Sequence, residues 1–348
     1  MNLLLFTYTL DKNHPILSHQ LALVNGISHY FTNVTVITGS VGEYQVSTNV
    51  SVVNSNWSGN HKVISVLRFI YYFFREIFNK NNLVIYSHMT TIQSLIVAPI
   101  TFLLGIPHYL WYAHKSKPIS LSLAYPLIDG ILSSTSGSCP LEKPKVYLIG
   151  QGIDSKLFRV EITDNDKCID LVHFGRIDES KGLIEIIELV KSKRSELNPY
   201  TLTLIGNPAR NESRLYFDKL TKLSKDSSYR EWLTIEPAIA RGELTSKLKN
   251  FQVFIHNFNG SLDKTLLEAT LCNLHIITSN REFIREFGKW DRKNQDSSLL
   301  LEFEAFFKLS SDERNKIKRN RVSYVLNNHS FDQWIKKTAN ILKSNRGN

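Results

Sequence analysis

Asn259-Gly-Ser-Leu-Asp-Lys-Thr-Leu-Leu-Glu-Ala-Thr-Leu-Cys-Asn-Leu-His-Ile-Ile-Thr278 reads as a polar turn, a helix and a strand. Val253-Phe254-Ile255, just upstream, predicts a buried strand, so the whole unit is strand, turn, helix, strand. Gly260 and Ser261 break the apolar run, and Leu266, Leu267, Ala269 and Leu271 form the apolar surface of the helix. Asn273 is a helix stop, and Leu274-His-Ile-Ile277 is the closing strand. A turn of this kind aims backbone N–H groups and a positive helix end at whatever lies above the strand ends, which favours an anion. Glu268 lies roughly two turns into the helix, too deep to cap it, where a carboxylate reaches ligand hydroxyls. The competing reading makes Lys264 and Glu268 an exposed i,i+4 pair, although Lys ahead of Glu is the weaker orientation.

The same pattern opens the second half of the chain. Ile169-Asp-Leu-Val-His-Phe174 is a strand, and Gly175-Arg176-Ile-Asp-Glu-Ser180-Lys181-Gly182 is its loop. Ser180 is the expected cap of a helix carrying Leu183, Ile186, Ile187 and Val190 at helical spacing. Arg176 at the strand end and Lys181 at the helix start can then aim at one diphosphate; the alternative is a pair of solvated charges. Strands at 202–206 and 233–235 and a short helix at 243–248 lie between the two units.

The first half starts with a strand at 3–6, a loop at 7–14, a helix at 18–30 and a strand at 34–37, the opening of a parallel α/β sheet. Such sheets hold ligands at the carboxyl ends of their strands, which makes Asp11, His14 and His19 candidates; ordinary loop polarity is the alternative. Residues 62–80 form a helix with two apolar stripes, Ile64, Leu67, Tyr71, Phe74 and Phe78 on one and Val63, Val66, Ile70, Phe73 and Ile77 on the other. Such a helix is either core or lies against an apolar surface with Arg68 and Arg75 at the rim. A strand follows at 83–86. The uncharged run 91–112 is broken by Pro99, Gly105 and Pro107, so it reads as a buried helix and a strand in preference to a membrane span. Strands at 127–133 and 146–149 lead to the Gly-rich turn 150–154. The charged segment 161–167 reads as a linker; its Asp164-Asn-Asp166 mimics an Asp-x-Asp metal motif but precedes a strand, and no metal is expected. Ser330-Phe-Asp-Gln333 reads as a capping box for a last helix whose face of Phe331, Trp334, Ile335, Ile341 and Leu342 packs back on the first domain.

The chain of 348 residues is long enough for two domains. Cys139, Cys168 and Cys272 are few, scattered and odd in number, which suits a reducing, cytoplasmic setting and argues against a disulfide framework. Asn-x-Ser/Thr triplets at Asn33, Asn49, Asn56, Asn211 and Asn328 reflect an Asn-rich composition. A net charge of +10 attracts acidic partners, nucleic acid, sugar nucleotides or an anionic membrane surface among them. No nucleic-acid motif stands out, so nucleic acid is not an expected partner.

Taken in order, Trp111-Tyr-Ala-His114, Ile149-Gly-Gln-Gly-Ile-Asp154 with Phe158, Phe174-Gly-Arg176 with Lys181-Gly182, and Leu266-Leu-Glu-Ala269 resemble the retaining enzymes of glycosyltransferase family 4 over nearly the whole chain. The resemblance implies a GT-B fold, two Rossmann-like parallel-sheet domains facing a cleft. An acceptor-side domain would span 1–160 with the helix 330–345, and a nucleotide-sugar domain 168–325. It implies that Arg176 and Lys181 bind the donor diphosphate, that Glu268 holds the ribose hydroxyls, and that His114 faces the transferred sugar. Gly175, Gly260, Ser261, Leu262, Asp263 and Lys264 complete the donor side, with the amides from Gly260 to Leu262 on the phosphate and sugar; Asp11 and His14 are acceptor-side candidates. The implied activity is hexosyl transfer, with retention and without a metal, from a UDP- or GDP-linked sugar to a glycan or lipid-linked acceptor of a bacterial surface polysaccharide, at or near the inner face of the cell membrane. No cofactor is expected. The family's first glutamate is replaced by Gly260, with Asp263 a candidate substitute; Lys115 replaces a common Gly, and the double-Gly turn is absent from 7–11. A non-catalytic sugar-nucleotide binder is the main rival. A nicotinamide or flavin enzyme would need a Gly-x-Gly-x-x-Gly after the first strand, and there is none.

Overall fold

The structure is a computed structural model describing residues 1–14, 17–57, 59, 61–79, 81–141, 144–159, 169–195, 199–208, 211–290 and 297–344. The linker, Asp164-Asn-Asp166, Cys168 and Lys80 lie outside the described residues. Two compact units form: Met1–Gly152 with the chain from Phe331 onward, and Ile153–Ser330.

In the first unit the elements run β1 (Asn2–Thr7), α1 (His19–Ser28), β2 (Asn33–Thr38), β3 (Val50–Asn54), α2 (Lys62–Asn79), β4 (Leu83–His88), α3 (Thr91–Leu103), β5 (His108–Trp111), α4 (Ile119–Ala124), β6 (Gly130–Ser133) and β7 (Val146–Leu148). The sheet is parallel in the order β3-β2-β1-β4-β5-β6-β7. Its inner strands are apolar on both faces because both are covered. Leu3 and Leu5 pack with Leu23, Val24 and Ile27 of α1, whereas Leu4 and Phe6 pack with Phe69 and Phe73 of α2 and Val97 of α3. The order reverses between β1 and β4, where parallel sheets open a ligand crevice. His108 is fully buried beside Ser87, Ser94 and Thr101, and burial pushes its imidazole down to about 3.

The α2 stripes divide. Phe69 and Phe73 are buried, but Val63, Ile64, Leu67, Tyr71 and Phe78 are 54–77 % exposed. The first stripe is therefore not core. The sheet takes up the opposite face, including Glu76, which accepts from Thr35 Oγ1 at 2.8 Å and pairs with Arg75 at 2.8 Å. The helix in 91–112 is likewise only half covered, with Phe102, Leu103 and Leu104 exposed. No helix among the described residues is long and apolar enough to cross a membrane.

The second unit runs β8 (Asp170–Phe174), α5 (Leu183–Lys193), β9 (Thr201–Ile205), α6 (Arg214–Ser224), β10 (Leu233–Glu236), α7 (Arg241–Leu248), β11 (Val253–His256), α8 (Lys264–Leu271), β12 (His275–Thr278), α9 (Arg281–Phe287), α10 (Leu299–Lys308) and α11 (Ser311–Asn328). Its parallel sheet has the order β10-β9-β8-β11-β12, so the reversal falls between β8 and β11. Leu171, Leu202, Val253 and Ile255 face α5, and Val172, Phe254 and Ile276 face α8. The last helix, α12 (Phe331–Ser344), returns to the first unit, where Trp334, Ile335, Ala339 and Leu342 join the core against α1.

Candidate functional site

The site residues of the second unit sit where its strand order reverses, on the loops after β8 and β11. Gly175 follows β8, and Arg176 projects into solvent, with no hydrogen bond or ion pair among the described residues. The next turn differs from the expected one. Asp178 caps a short 3₁₀ turn, Glu179–Lys181, by accepting from the Ser180 N–H at 3.0 Å; Ser180 caps no helix, and its hydroxyl also bonds Asp178. Helix α5 starts two residues beyond Lys181, after Gly182 at φ +58°, a left-handed conformation that costs glycine nothing. Lys181 thus sits in the turn ahead of the helix and points inward, 4 % exposed.

Its ammonium meets Asp263 Oδ2 at 2.5 Å and lies 4.1 Å from the centre of the Phe258 ring. Asp263 has two tasks. Oδ1 caps α8 by accepting from the Thr265 N–H at 3.2 Å, while Oδ2 takes Lys181 and also His256 Nε2 at 3.3 Å. The Asn280 N–H donates to Thr278 Oγ1 at 3.0 Å, and Thr278 Oγ1 lies 3.1 Å from His256 Nδ1. The threonine proton is then free to point at Nδ1, which leaves the neutral His256 donating from Nε2 to Asp263. Burial alone would raise the Asp263 carboxyl, but the His256 bond and the Lys181 charge hold it well below the usual carboxylate range. Burial lowers His256 and pushes the stacked His173 down to about 3, so both rings are neutral near pH 7.

Gly260 has a steric reason. A Cβ there would stand 1.9 Å from Phe258 Cζ, so the ring under Lys181 fills the space any side chain at 260 would need. Asn280 fixes the same loop: its Nδ2 donates to the carbonyls of Phe258 at 2.7 Å and Ser261 at 3.3 Å, and its Oδ1 caps α9 at Phe283. In trans peptides this turns the following N–H groups, those of Asn259 and Leu262, the other way. Leu262 itself is a core side chain, 1 % exposed.

Helix α8 begins at Lys264, so Glu268 stands one turn in, not two. It is 5 % exposed and meets the Arg241 guanidinium at 3.4 Å, which overturns the solvated-pair reading for this residue. Burial raises its carboxyl, opposed by Arg241 and Lys264. Lys264 is half-buried, and burial lowers its ammonium against the pull of Glu268. The loop after β8 thus carries Arg176 and Lys181, the loop after β11 Gly260, Ser261 and Asp263, and the first turns of α8 Lys264 and Glu268. Sequence reasoning missed His256, Asn280, Phe258 and Arg241, none of which has a spacing that marks it.

The first-unit candidates are simpler. Asp11 Oδ1 accepts from the Asn13 N–H at 2.9 Å and His14 Nδ1 from the Leu17 N–H at 3.0 Å, both on the loop after β1. His19 lies 6.0 Å from His88, ring centre to ring centre. His114 is exposed after β5, and its Nδ1 accepts from the Ser116 N–H at 3.0 Å, so the neutral ring carries its proton on Nε2.

By sequence the chain matches no protein-family model and no curated protein. Solved structures do match it. HepE of Anabaena, in complex with UDP, superposes with a TM-score of 0.76 at 13% identity, covering 99% of this chain and 100% of that one. A glycosyltransferase from Rickettsia africae gives 0.72 at 12%, covering 99% and 98%. The lipopolysaccharide outer core galactosyltransferase WaaB gives 0.72 at 11%, covering 99% and 100%. The fold is GT-B.

Proposed function

We propose that this protein is a glycosyltransferase that moves a sugar from a UDP- or GDP-linked donor to a glycan or lipid-linked acceptor, with retention, as family 4 enzymes do. The observation that carries the reading is the placement of Arg176 and Lys181 on the loop after β8 and of the buried Glu268 on α8, just past β11, at the reversal of strand order, two cations for a diphosphate and an acid for a ribose. HepE, of the same fold, was solved with UDP and with UDP-glucose. The chemistry is charge stabilisation. As the sugar leaves, the diphosphate gains negative charge, and cations fixed beside it lower the barrier without a metal. The leaving phosphate takes the acceptor proton on the same face, so no side-chain nucleophile is needed. His114, whose neutral ring carries its proton on Nε2, is assigned to the transferred sugar, as in family 4 enzymes. Asp11 and His14 are assigned to the acceptor.

A thermal-shift screen of nucleoside diphosphates tests this reading. Glu268→Ala should weaken the best of them by ~1.5–3 kcal/mol, the range for a charged hydrogen bond. Unchanged affinity would remove Glu268 from the ribose, and no stabilisation by any nucleotide would remove the function. A non-catalytic binder keeps one supporting observation, the Phe258 ring in the space a glutamate at 260 would need. Sugar transfer or slow donor hydrolysis separates the two.

We also propose that the exposed face of α2 rests on an anionic membrane. Ile64, Leu67, Tyr71 and Phe78 present apolar surface, and Arg68 is exposed beside them. Each cation at such a surface contributes ~1 kcal/mol. Phosphatidylglycerol-containing vesicles should sediment the protein at low salt, and Leu67→Asp with Tyr71→Asp should release it. Binding that survives both substitutions would locate the contact elsewhere.

A further inference from the structure

The Lys181–Asp263 contact has a consequence for the donor site, which rests on the nucleotide reading above. Lys181 has a partner within the chain: its side chain is 5 % exposed, its ammonium is 2.5 Å from Asp263 Oδ2, and the Phe258 ring covers another side. The carboxylate is the fixed member of the pair. The Thr265 N–H holds Oδ1, and His256 Nε2 holds Oδ2 with the lysine. Lysine, on four flexible carbons, is the member able to change partner. The other charges around Asp263 offset it less: His256 and His173 are neutral, and Lys264, which also attracts Asp263, acts more strongly with Arg241 on the second carboxylate, Glu268. A diphosphate that reaches Lys181 therefore brings like charge up to Asp263.

We propose that Asp263 is a resident counter-anion of the diphosphate site: it holds Lys181 while the site is empty, competes with the donor for it, and takes it back to release the nucleoside diphosphate after transfer. Arg176, with no partner of its own among the described residues, makes the first contact with the incoming phosphates. Competition is reciprocal, so whatever loosens the carboxylate's hold tightens the ligand's.

Asp263→Asn separates competition from positioning. Asparagine still caps α8 and still offers Lys181 an oxygen, but carries no charge. UDP, UMP, uridine and GDP are titrated by calorimetry into wild type and variant at one salt concentration. The expected result is a tenfold or greater tightening for the diphosphate that binds wild type, a smaller gain for UMP, and none for uridine, which has no phosphate to compete. Equal or weaker diphosphate binding by the variant would make Asp263 a positioning residue and overturn the proposal alone. No binding of UDP or GDP to either protein would overturn the nucleotide reading and this inference with it. Should the asparagine variant not fold, Asp263→Ser keeps the helix cap and is read by the same outcomes.

Discussion

Arg176→Ala is expected to lower sugar transfer, or donor hydrolysis, by on the order of 10²-fold or more, the usual cost of one preorganised charge contact in a transition state. The fold should be untouched, because the side chain is exposed and bonds nothing among the described residues. Donor affinity should fall less than turnover, because the diphosphate gains charge only as the sugar leaves. Arg176→Lys should recover only part of the loss, since an ammonium is a point charge and cannot present the paired donors of a guanidinium. In excess chelator the wild-type rate should persist. Near-normal turnover in Arg176→Ala would take the residue out of the mechanism, and loss of activity with chelator would assign the charge stabilisation to a metal.

How much of this could be read from the chain depends on how local each signal is. The strands at 3–6, 34–37 and 253–255 are apolar runs too short for helices, and all appear. Asn273 does stop α8, at φ +59°. Arg176 and Lys181 fall on the loop after β8, and Glu268 on α8 just past β11, because β8 and β11 are strands that their own residues define. Edge strand β3 was missed: Val50-Ser-Val-Val-Asn54 is half exposed and has no strong apolar run. Helix α11 was missed because its polar face hides buried Lys318 and Arg321. The contacts that set the electrostatics were out of reach for a different reason. Lys181 and Asp263 are 82 residues apart in sequence, and only the parallel neighbourhood of β8 and β11 brings them together. Nothing local to either residue announces a partner. The Ser180 cap failed on local competition, since Asp178, two residues earlier, caps the turn itself and takes both the Ser180 N–H and the Ser180 hydroxyl. The α2 stripes failed on orientation: a helix apolar on two sides does not say which side the sheet takes.

Lys181→Met should cost about 3–5 kcal/mol of stability, the penalty for leaving one member of a buried ion pair without its partner. Only 13 % of the Asp263 side chain is exposed, so water cannot replace the lysine there. Lys181→Met with Asp263→Asn should regain most of the loss, because a neutral pair of similar volume removes the buried charge. The two changes must then be far from additive in urea denaturation at pH 7. The pH dependence gives an independent check. In the wild type the folded carboxyl lies below its unfolded value, so the unfolded chain binds more protons in that acid range and stability from this residue is lost as pH falls through it. In Lys181→Met the His256 bond still opposes burial but the ammonium does not, so the folded carboxyl rises from its wild-type position. The folded variant then takes up its proton at a higher pH than the folded wild type, so its deficit relative to wild type should shrink as the solution is made acidic. A deficit under about 1 kcal/mol at pH 7, or one that grows on acidification, would mean that Asp263 is not a buried charge held by Lys181, and the arrangement of the donor site built on that pair would fall with it.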